Sequence, residues 1–140
     1  MQLTRAADYA ARVMVHLAGL PQGTRASLPE LAAAVEVREQ FLSKVLQALG
    51  RSGLIQSQRG ASGGFELSAD PEQVSLLDVV EAIEGPIRLN LCLGPGEGCA
   101  RKSRCSVHLV WVEAQAALVK VLRGASIAQL ARTPVETPWP

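Results

Sequence analysis

Residues 41–67 read FLSKVLQALGRSGLIQSQRGASGGFEL and divide into one helical pattern and two short strand patterns. The helix is predicted from about Arg38 to Ser52, because apolar residues recur on one of its faces: Phe41, Leu42, Val45, Leu46 and Leu49. Gly53 is expected to end it. Strand patterns at 54–58 and 65–67 enclose a glycine-rich turn at 59–64, which predicts a β-hairpin.

A shorter helix precedes this one. The sequence Ser27-Leu-Pro-Glu30 forms a capping box that begins a helix through Ala34, and residues 35–37 break the pattern. A short helix, a tight turn and a longer helix are typical of a helix-turn-helix, with the hairpin as its wing. The longer helix carries outward side chains that can contact base edges and phosphates: Arg38, Glu39, Gln40, Ser43, Lys44 and Gln47. Arg59 and Gly60 at the wing tip would enter a minor groove.

The charge pattern favours this interpretation over plainer ones. An ordinary surface helix and a plain hairpin give similar patterns, and a phosphate-binding loop is a weaker alternative because no Lys-Ser or Lys-Thr pair follows the glycines. The whole chain has a formal net charge of only +1, yet residues 38–60 contain four cationic side chains and one carboxylate. Positive charge is therefore concentrated on the surface that would meet DNA phosphates.

Every cysteine lies in residues 92–108, CLGPGEGCARKSRCSVH, with the spacing C-x6-C-x5-C-x2-H. Three cysteines cannot form a closed disulfide set, and no secretory signal indicates an oxidising compartment. The long gaps favour an iron–sulfur cluster. Zinc bound by Cys92, Cys99, Cys105 and His108 is an alternative, and unligated redox thiols are another.

The remaining chain predicts helices on both sides of these features. A first helix begins after Thr4, with Asp8 and Tyr9 as a solvated carboxylate beside a half-buried ring. Another runs from the cap Ser75 to Glu84. A long helix that ends at Gly124 carries an apolar stripe formed by Val107, Val110, Trp111, Ala114, Ala117, Leu118, Val121 and Leu122. Because the stripe is too wide to be covered within the chain, we expect pairing with a second copy.

The predicted fold class is mainly α with a small β-hairpin. A winged helix-turn-helix domain occupies residues 1–85, a cysteine loop 86–105, a dimerisation helix and a short terminal helix 106–132, and a tail 133–140. With 140 residues and no apolar run of membrane-spanning length, the expected protein is cytoplasmic with no membrane partner. No acid–base pair or cofactor-binding glycine pattern accompanies the loop, so an enzyme is not expected.

Several features together resemble the Rrf2 superfamily of bacterial winged-helix regulators. They are Leu3-Thr4, the 41–67 stretch, the three-cysteine loop and Trp111, and the resemblance extends over about residues 1–132. It implies a homodimeric regulator, expected to be a repressor, that binds a palindromic operator in double-stranded DNA. Its DNA affinity would follow the state of an iron–sulfur cluster and so report nitric oxide, redox or iron status.

The chain shares sequence features with two branches of this superfamily. The three cysteines and His108 match the regulators of iron–sulfur assembly, which hold a 2Fe–2S cluster, although the first cysteine gap is one residue longer here. Asp8 and Tyr9 match the nitric-oxide sensors, in which an aspartate of the other subunit completes a 4Fe–4S cluster. We favour 4Fe–4S, with Cys92, Cys99, Cys105 and Asp8 of the partner subunit as ligands and His108 as the alternative.

The resemblance implies a homodimer, and the apolar stripe indicates which residues form its interface. Trp111 and Leu118 are expected in the dimer interface, together with Val107 and Leu122. Assembly regulators use a glutamate for operator discrimination at the position where Ser43 stands here. Their operator sequence is therefore not transferred to this chain.

Overall fold

A computed structural model of the chain describes residues 2–96 and 98–135. The predicted class is confirmed, since the described residues are mostly helical with one two-stranded antiparallel hairpin. The helices are α1 (Arg5–Gly19), α2 (Leu28–Val35), α3 (Glu39–Arg51), α4 (Leu76–Glu84), α5 (Ser106–Arg123) and α6 (Ile127–Arg132). The strands are β1 (Ile55–Gln58) and β2 (Gly64–Leu67), and 3-10 turns lie at Leu91–Leu93 and Lys102–Arg104.

Local capping signals place most helix starts as predicted. The Thr4 hydroxyl accepts a hydrogen bond from the Ala7 N–H at 3.2 Å and begins α1. Ser27 and Glu30 form the complete capping box of α2, and Ser75 with Asp78 forms another at α4. Each box satisfies amide groups that the first helical turn leaves without a partner.

The main core surrounds α1, which contacts α2, α3, α4, α6 and β2. Its fully buried side chains include Met14, Leu31, Leu42, Leu46, Leu49 and Ile127. Ile127 belongs to α6, and its backbone N–H donates to the Val74 carbonyl at 2.9 Å. The structure therefore seats the start of the terminal helix in the core of the winged-helix unit, although the sequence groups α6 with the dimerisation helix.

Helix α3, the second or recognition helix of the helix-turn-helix, differs from its prediction at Phe41. The sequence places this side chain on the inner face, but the structure leaves it 40% exposed. Its ring instead meets the edge of the Tyr9 ring of α1, with 5.6 Å between centroids and 76° between planes. Phe41 thus links α3 to α1 at the margin of the core.

One isolated β-bridge supports the two-stranded wing. Strands β1 and β2 pair in antiparallel register with Ile55 opposite Leu67 and Gln58 opposite Gly64. On the other side of β2, Ala26 and Phe65 exchange backbone hydrogen bonds of 3.0 and 2.8 Å. Gly64 has φ +141°, and a Cβ there would lie 2.8 Å from the Ala26 carbonyl oxygen, so glycine permits this close approach.

The apolar stripe of α5 has two differently placed parts. Leu118 and Leu122 pack, half-buried, against Leu77, Val80 and Ile87 of the same chain. Other members of the stripe are exposed, among them Val107, Val110 and Val121. The chain's own α4 region therefore covers one side of α5 and leaves another side open.

Within residues 2–96 and 98–135, no helix is long and apolar enough to cross a membrane. Residues 136–140 of the predicted tail lie outside the described part of the chain.

Candidate nucleic-acid interface and metal centre

The outward side of α3 presents most of the predicted DNA-contacting side chains. Arg38, Glu39, Gln40 and Lys44 are exposed, and Ser43 is half-buried. Arg38 is the N-cap residue of α3, and its side chain makes no capping hydrogen bond. These donors and acceptors therefore remain available on the helix surface that a major groove would accommodate.

A concave surface joins α3 to the wing. Ser43, Gln47, Gly50, Arg51, Ser57 and Arg59 line it with Leu46, Ile55 and Phe65. The structure thus brings Ser43 and Arg59, which the sequence assigns to different grooves, to one surface. It also places Ser57 there, which the sequence did not indicate. Arg51 lies there too, and the sequence counts it among the cations of this surface without assigning it a contact. Its place could have been predicted, because it continues the four-residue spacing of Ser43 and Gln47.

The wing tip is open to solvent. Arg59 and Gly60 are both exposed, as are Ala61 and Ser62. Gly60 has φ +110°, a conformation that favours glycine. Its carbonyl accepts the Gly63 N–H at 3.0 Å and closes the turn. This geometry leaves the Arg59 guanidinium free of the hairpin ladder at the end of the wing.

The cysteine loop joins the winged-helix core to α5. Cys92 lies half-buried in the 3-10 turn Leu91–Leu93, Cys99 is exposed, and Cys105 is half-buried directly before α5. The Nδ1 atom of His108 lies 3.3 Å from the Cys92 sulfur. The Leu89 N–H also donates to the Gln115 side-chain oxygen of α5 at 2.9 Å. The beginning of the loop is therefore fastened to the first turn of α5 at His108 and to its middle at Gln115.

The donor set fits an iron–sulfur cluster in chemistry. All three cysteines are free of disulfide bonds, and thiolates with an additional histidine or carboxylate are known ligands of such clusters. Among residues 2–96 and 98–135, no three His, Cys, Asp or Glu side chains are gathered closely enough to hold a metal ion. The structure brings Cys92 and His108 together and leaves Cys99 and Cys105 outside that contact.

Three cationic side chains lie in the second half of the cysteine loop. Arg101, Lys102 and Arg104 are exposed between Cys99 and Cys105. This part of the loop therefore carries positive charge at the surface, next to the exposed Cys99.

Asp8 lies on a different element and already has a partner. Its carboxylate accepts from the Arg12 guanidinium at 2.9 Å, and both side chains are 53% exposed. The Arg12 guanidinium also lies 5.7 Å from the centroid of the half-buried Tyr9 ring. Tyr9 contacts Phe41 of α3. A continuous set of contacts therefore leads from the candidate ligand Asp8 to the recognition helix.

The open side of α5 carries an apolar seam. Val107, Val110, Ala114, Ala117 and Val121 recur at alternating intervals of three and four residues, the spacing of a coiled-coil contact. Val107, Val110, Ala117 and Val121 are exposed and Ala114 is half-buried. The seam is distinct from the Leu118 and Leu122 side, which α4 covers. Trp111, 39% exposed, adjoins both.

Taken together, the short helix, recognition helix and braced hairpin define a winged helix-turn-helix protein with a cysteine loop and an additional long helix. The family model described as "Rrf2: Iron-dependent Transcriptional regulator" matches residues 3–133. The chain therefore belongs to the Rrf2 family of transcriptional regulators, which are not enzymes. The expected family is confirmed.

Individual relatives agree with this assignment. Protein aau3 of Rhizobium meliloti (strain 1021) is 34% identical over 134 residues, which are 94% of this chain and 86% of that protein. The HTH-type transcriptional regulator NsrR of Geobacillus kaustophilus (strain HTA426) is 32% identical over 131 residues, covering 93% and 88%. Among solved structures, CymR (YrzC), the global cysteine regulator of B. subtilis, is 26% identical with a TM-score of 0.77, covering 94% of this chain and 96% of that chain.

Proposed function

We propose that this chain is a homodimeric transcriptional repressor whose affinity for a palindromic operator is set by an iron–sulfur cluster bound at Cys92, Cys99 and Cys105. The observation that carries the proposal is the position of these disulfide-free thiols in one loop between α4 and α5. The description of the matching family as iron-dependent supports the choice of metal. As a DNA-binding regulator the protein would act in the cytoplasm.

The DNA contacts would be divided between α3 and the wing. Arg38, Glu39, Gln40, Ser43 and Lys44 would face the major groove, and Arg59 with Gly60 would enter the minor groove. Arg51 lines the surface between them and would meet a backbone phosphate. Exposure and positive charge on this side support the division.

The chain supplies two candidates for the fourth ligand. His108 is in the loop's own subunit, and its contact with Cys92 supports it. Asp8 of the partner subunit, which the sequence favours, would join the loop of one subunit to α1 of the other. Its exposure supports it, and in the structure its carboxylate is held by Arg12. A 4Fe–4S cluster accompanies the Asp8 proposal, and 2Fe–2S the His108 alternative.

Two sets of contacts can transmit a change in the loop to the DNA-binding surface. Helix α4 contacts both α5 and α3, so a change in how the loop sits on α5 can be passed to the recognition helix. The contacts from Asp8 through Arg12 and Tyr9 to Phe41 form the second route. A bound cluster would supply chemistry that responds to nitric oxide, oxygen and iron supply. The residues on the two routes would transmit that response by changing the position of α3.

A second candidate is a zinc-stabilised or cluster-free thiol-based regulator. Two observations favour it: Cys99 is exposed, and the fold resembles a regulator described as the global cysteine regulator of B. subtilis. Exposed thiols among cationic side chains are accessible to oxidation. This candidate shares the DNA-binding surface and differs only in what the loop holds.

Anaerobic purification distinguishes the candidates. We expect visible absorption from the protein, with iron and acid-labile sulfide in proportion and little zinc. A DNA site would be selected from random-sequence duplexes with this protein, and its affinity compared before and after the iron is removed by a chelator. A colourless protein that contains zinc, or DNA affinity that is unchanged when iron is removed, would reject the cluster-sensor proposal.

A further inference from the structure

Arg25, in the connection between α1 and α2, reaches the wing. Its Nη1 atom donates to the carbonyl of Ser62 in the wing-tip turn at 3.5 Å. Its Nη2 atom donates to the Glu66 carboxylate of β2 at 3.4 Å. The Arg25 side chain is only 28% exposed. One arginine therefore contacts both the tip of the wing and its second strand.

Neighbouring contacts join Arg25 to both strands of the wing. Gln56 of β1 donates to the same Glu66 oxygen at 2.9 Å, so Glu66 joins Arg25 to the first strand as well. The next residue, Ala26, exchanges two backbone hydrogen bonds with Phe65. The wing is consequently held from the α1–α2 connection by backbone pairing at Phe65, close to the turn, and by the Arg25 side chain at Glu66 and Ser62.

Stability of the fold does not by itself explain the arginine. Its Nε atom is buried and has no hydrogen-bond partner among the described residues. A buried donor without a partner destabilises the folded state. An apolar side chain of similar length would avoid that penalty, but it would lose the contact with the wing tip and leave Gln56 as the donor to the Glu66 carboxylate.

We propose that Arg25 is a positioning residue for DNA binding, which holds the wing tip so that Arg59 meets the minor groove. The inference rests on the proposed role of Arg59 at the DNA. A glycine-rich turn must lose conformational freedom when it enters a groove. By holding Ser62, three residues beyond Arg59, Arg25 removes part of that freedom before DNA arrives and lowers the free energy spent on ordering.

The test is a double-mutant cycle with Arg25→Met and Arg59→Ala. Operator affinity is measured by fluorescence anisotropy on the selected DNA site, and thermal unfolding is followed for each protein. We expect Arg25→Met to weaken binding by roughly three- to tenfold in the wild-type background, within the range of coupling between neighbouring side chains. In the Arg59→Ala background it should have little further effect on binding, and each protein should remain folded at the temperature of the binding assay.

Two controls separate positioning from charge. Arg132→Met removes an equal charge from the Arg132–Glu72 ion pair, which joins α6 to the turn before α4, and should leave affinity nearly unchanged. Arg25→Met should also keep the dependence of binding on salt concentration, because no phosphate contact is lost. If Arg25→Met destabilises the fold, Arg25→Lys keeps the charge and can reach Glu66 without also spanning to Ser62, and should reproduce the affinity loss.

The outcomes distinguish this inference from the function on which it depends. If Arg59→Ala leaves affinity unchanged, the proposed wing contact with DNA is wrong. If Arg59→Ala weakens binding and Arg25→Met does not, or if their effects simply add, Arg25 is not a positioning residue. A lower salt dependence in Arg25→Met would indicate a direct phosphate contact and would also overturn the proposal.

Discussion

At the scale of single residues, Arg59 gives the most direct test of the DNA-binding surface. Its guanidinium stands exposed at the wing tip, where a narrow minor groove would attract it. Arg59→Ala should weaken operator binding by about 1–3 kcal/mol. Affinity is measured at one fixed salt concentration, with Arg132→Met as the control for loss of one positive charge. Undiminished affinity would defeat the assignment.

The fourth cluster ligand is decided by comparing Asp8→Ala with His108→Ala. If Asp8 of the partner subunit completes the site, Asp8→Ala should shorten the cluster's lifetime under oxygen and change the absorption spectrum of anaerobically reconstituted protein. His108→Ala should then change neither greatly. If Asp8→Ala instead keeps the wild-type spectrum and lifetime while His108→Ala loses them, the loop histidine is the ligand.

The predicted DNA-contacting side chains could be found from the sequence, whereas the residue that supports the wing could not. Arg38, Lys44 and Arg59 follow from local patterns, because helix periodicity and turn composition locate exposed side chains within a few residues. Arg25 follows no such pattern. It meets Glu66, forty-one positions along the chain, and only the folded hairpin brings the two together.

At the scale of elements, most helix starts were predictable because capping residues satisfy amide groups locally. The packing of α6 and of α5 was not. Apolar spacing shows that one face of a helix is buried, but it does not identify the element against which that face packs. Ile127 enters the main core and Leu118 packs on the α4 region, since the chain returns to α1 after α5. We propose that a fragment ending at residue 85 would therefore lack part of its core.

The cap of α2 allows a stability prediction. The Ser27 side chain accepts the Glu30 N–H at 3.3 Å, so Ser27→Ala should lower the free energy of unfolding by about 1 kcal/mol. A shift of the urea midpoint without a change in slope would show this. Ser27→Asp keeps a side-chain oxygen that can cap the helix and serves as the control. An unchanged midpoint in Ser27→Ala would mean that the cap contributes nothing.

The same cap contributes to the pH dependence of stability. The hydrogen bond from the Ser27 backbone N–H, followed by that from its side chain, lowers the pKa of Glu30 below 4.5. A carboxylate with a lowered folded-state pKa stabilises the fold above its unfolded pKa, and that contribution is lost as the pH falls through the folded value. Glu30→Gln should therefore lose less stability than the wild type between neutral pH and pH values below 4.5. Parallel urea titrations check this, and equal losses would contradict it.

At the scale of the whole molecule, substitutions on the two sides of α5 should have different effects. Leu118 and Leu122 remain candidate interface residues, but they also pack on Leu77 and Val80 within the chain. A charge at Leu118 would disturb this intrachain packing as well as any dimer. Leu118→Glu is therefore expected to yield monomers with poor DNA affinity and, in addition, a less stable subunit.

Val110 offers a cleaner test of dimerisation, because it is 60% exposed and lies on the seam and not on the side of α5 that packs against α4. Placing a charge there should disrupt a dry contact between two α5 helices without affecting the subunit's own core. Val110→Glu should therefore be monomeric in light scattering, keep its helical circular dichroism, and bind the palindromic site weakly, because two half-sites require two linked recognition helices. The matched control is Leu109→Glu, which introduces the same charge at a 71% exposed position off the seam. If Val110→Glu stays dimeric while Leu109→Glu does not, the interface lies on the other side of α5.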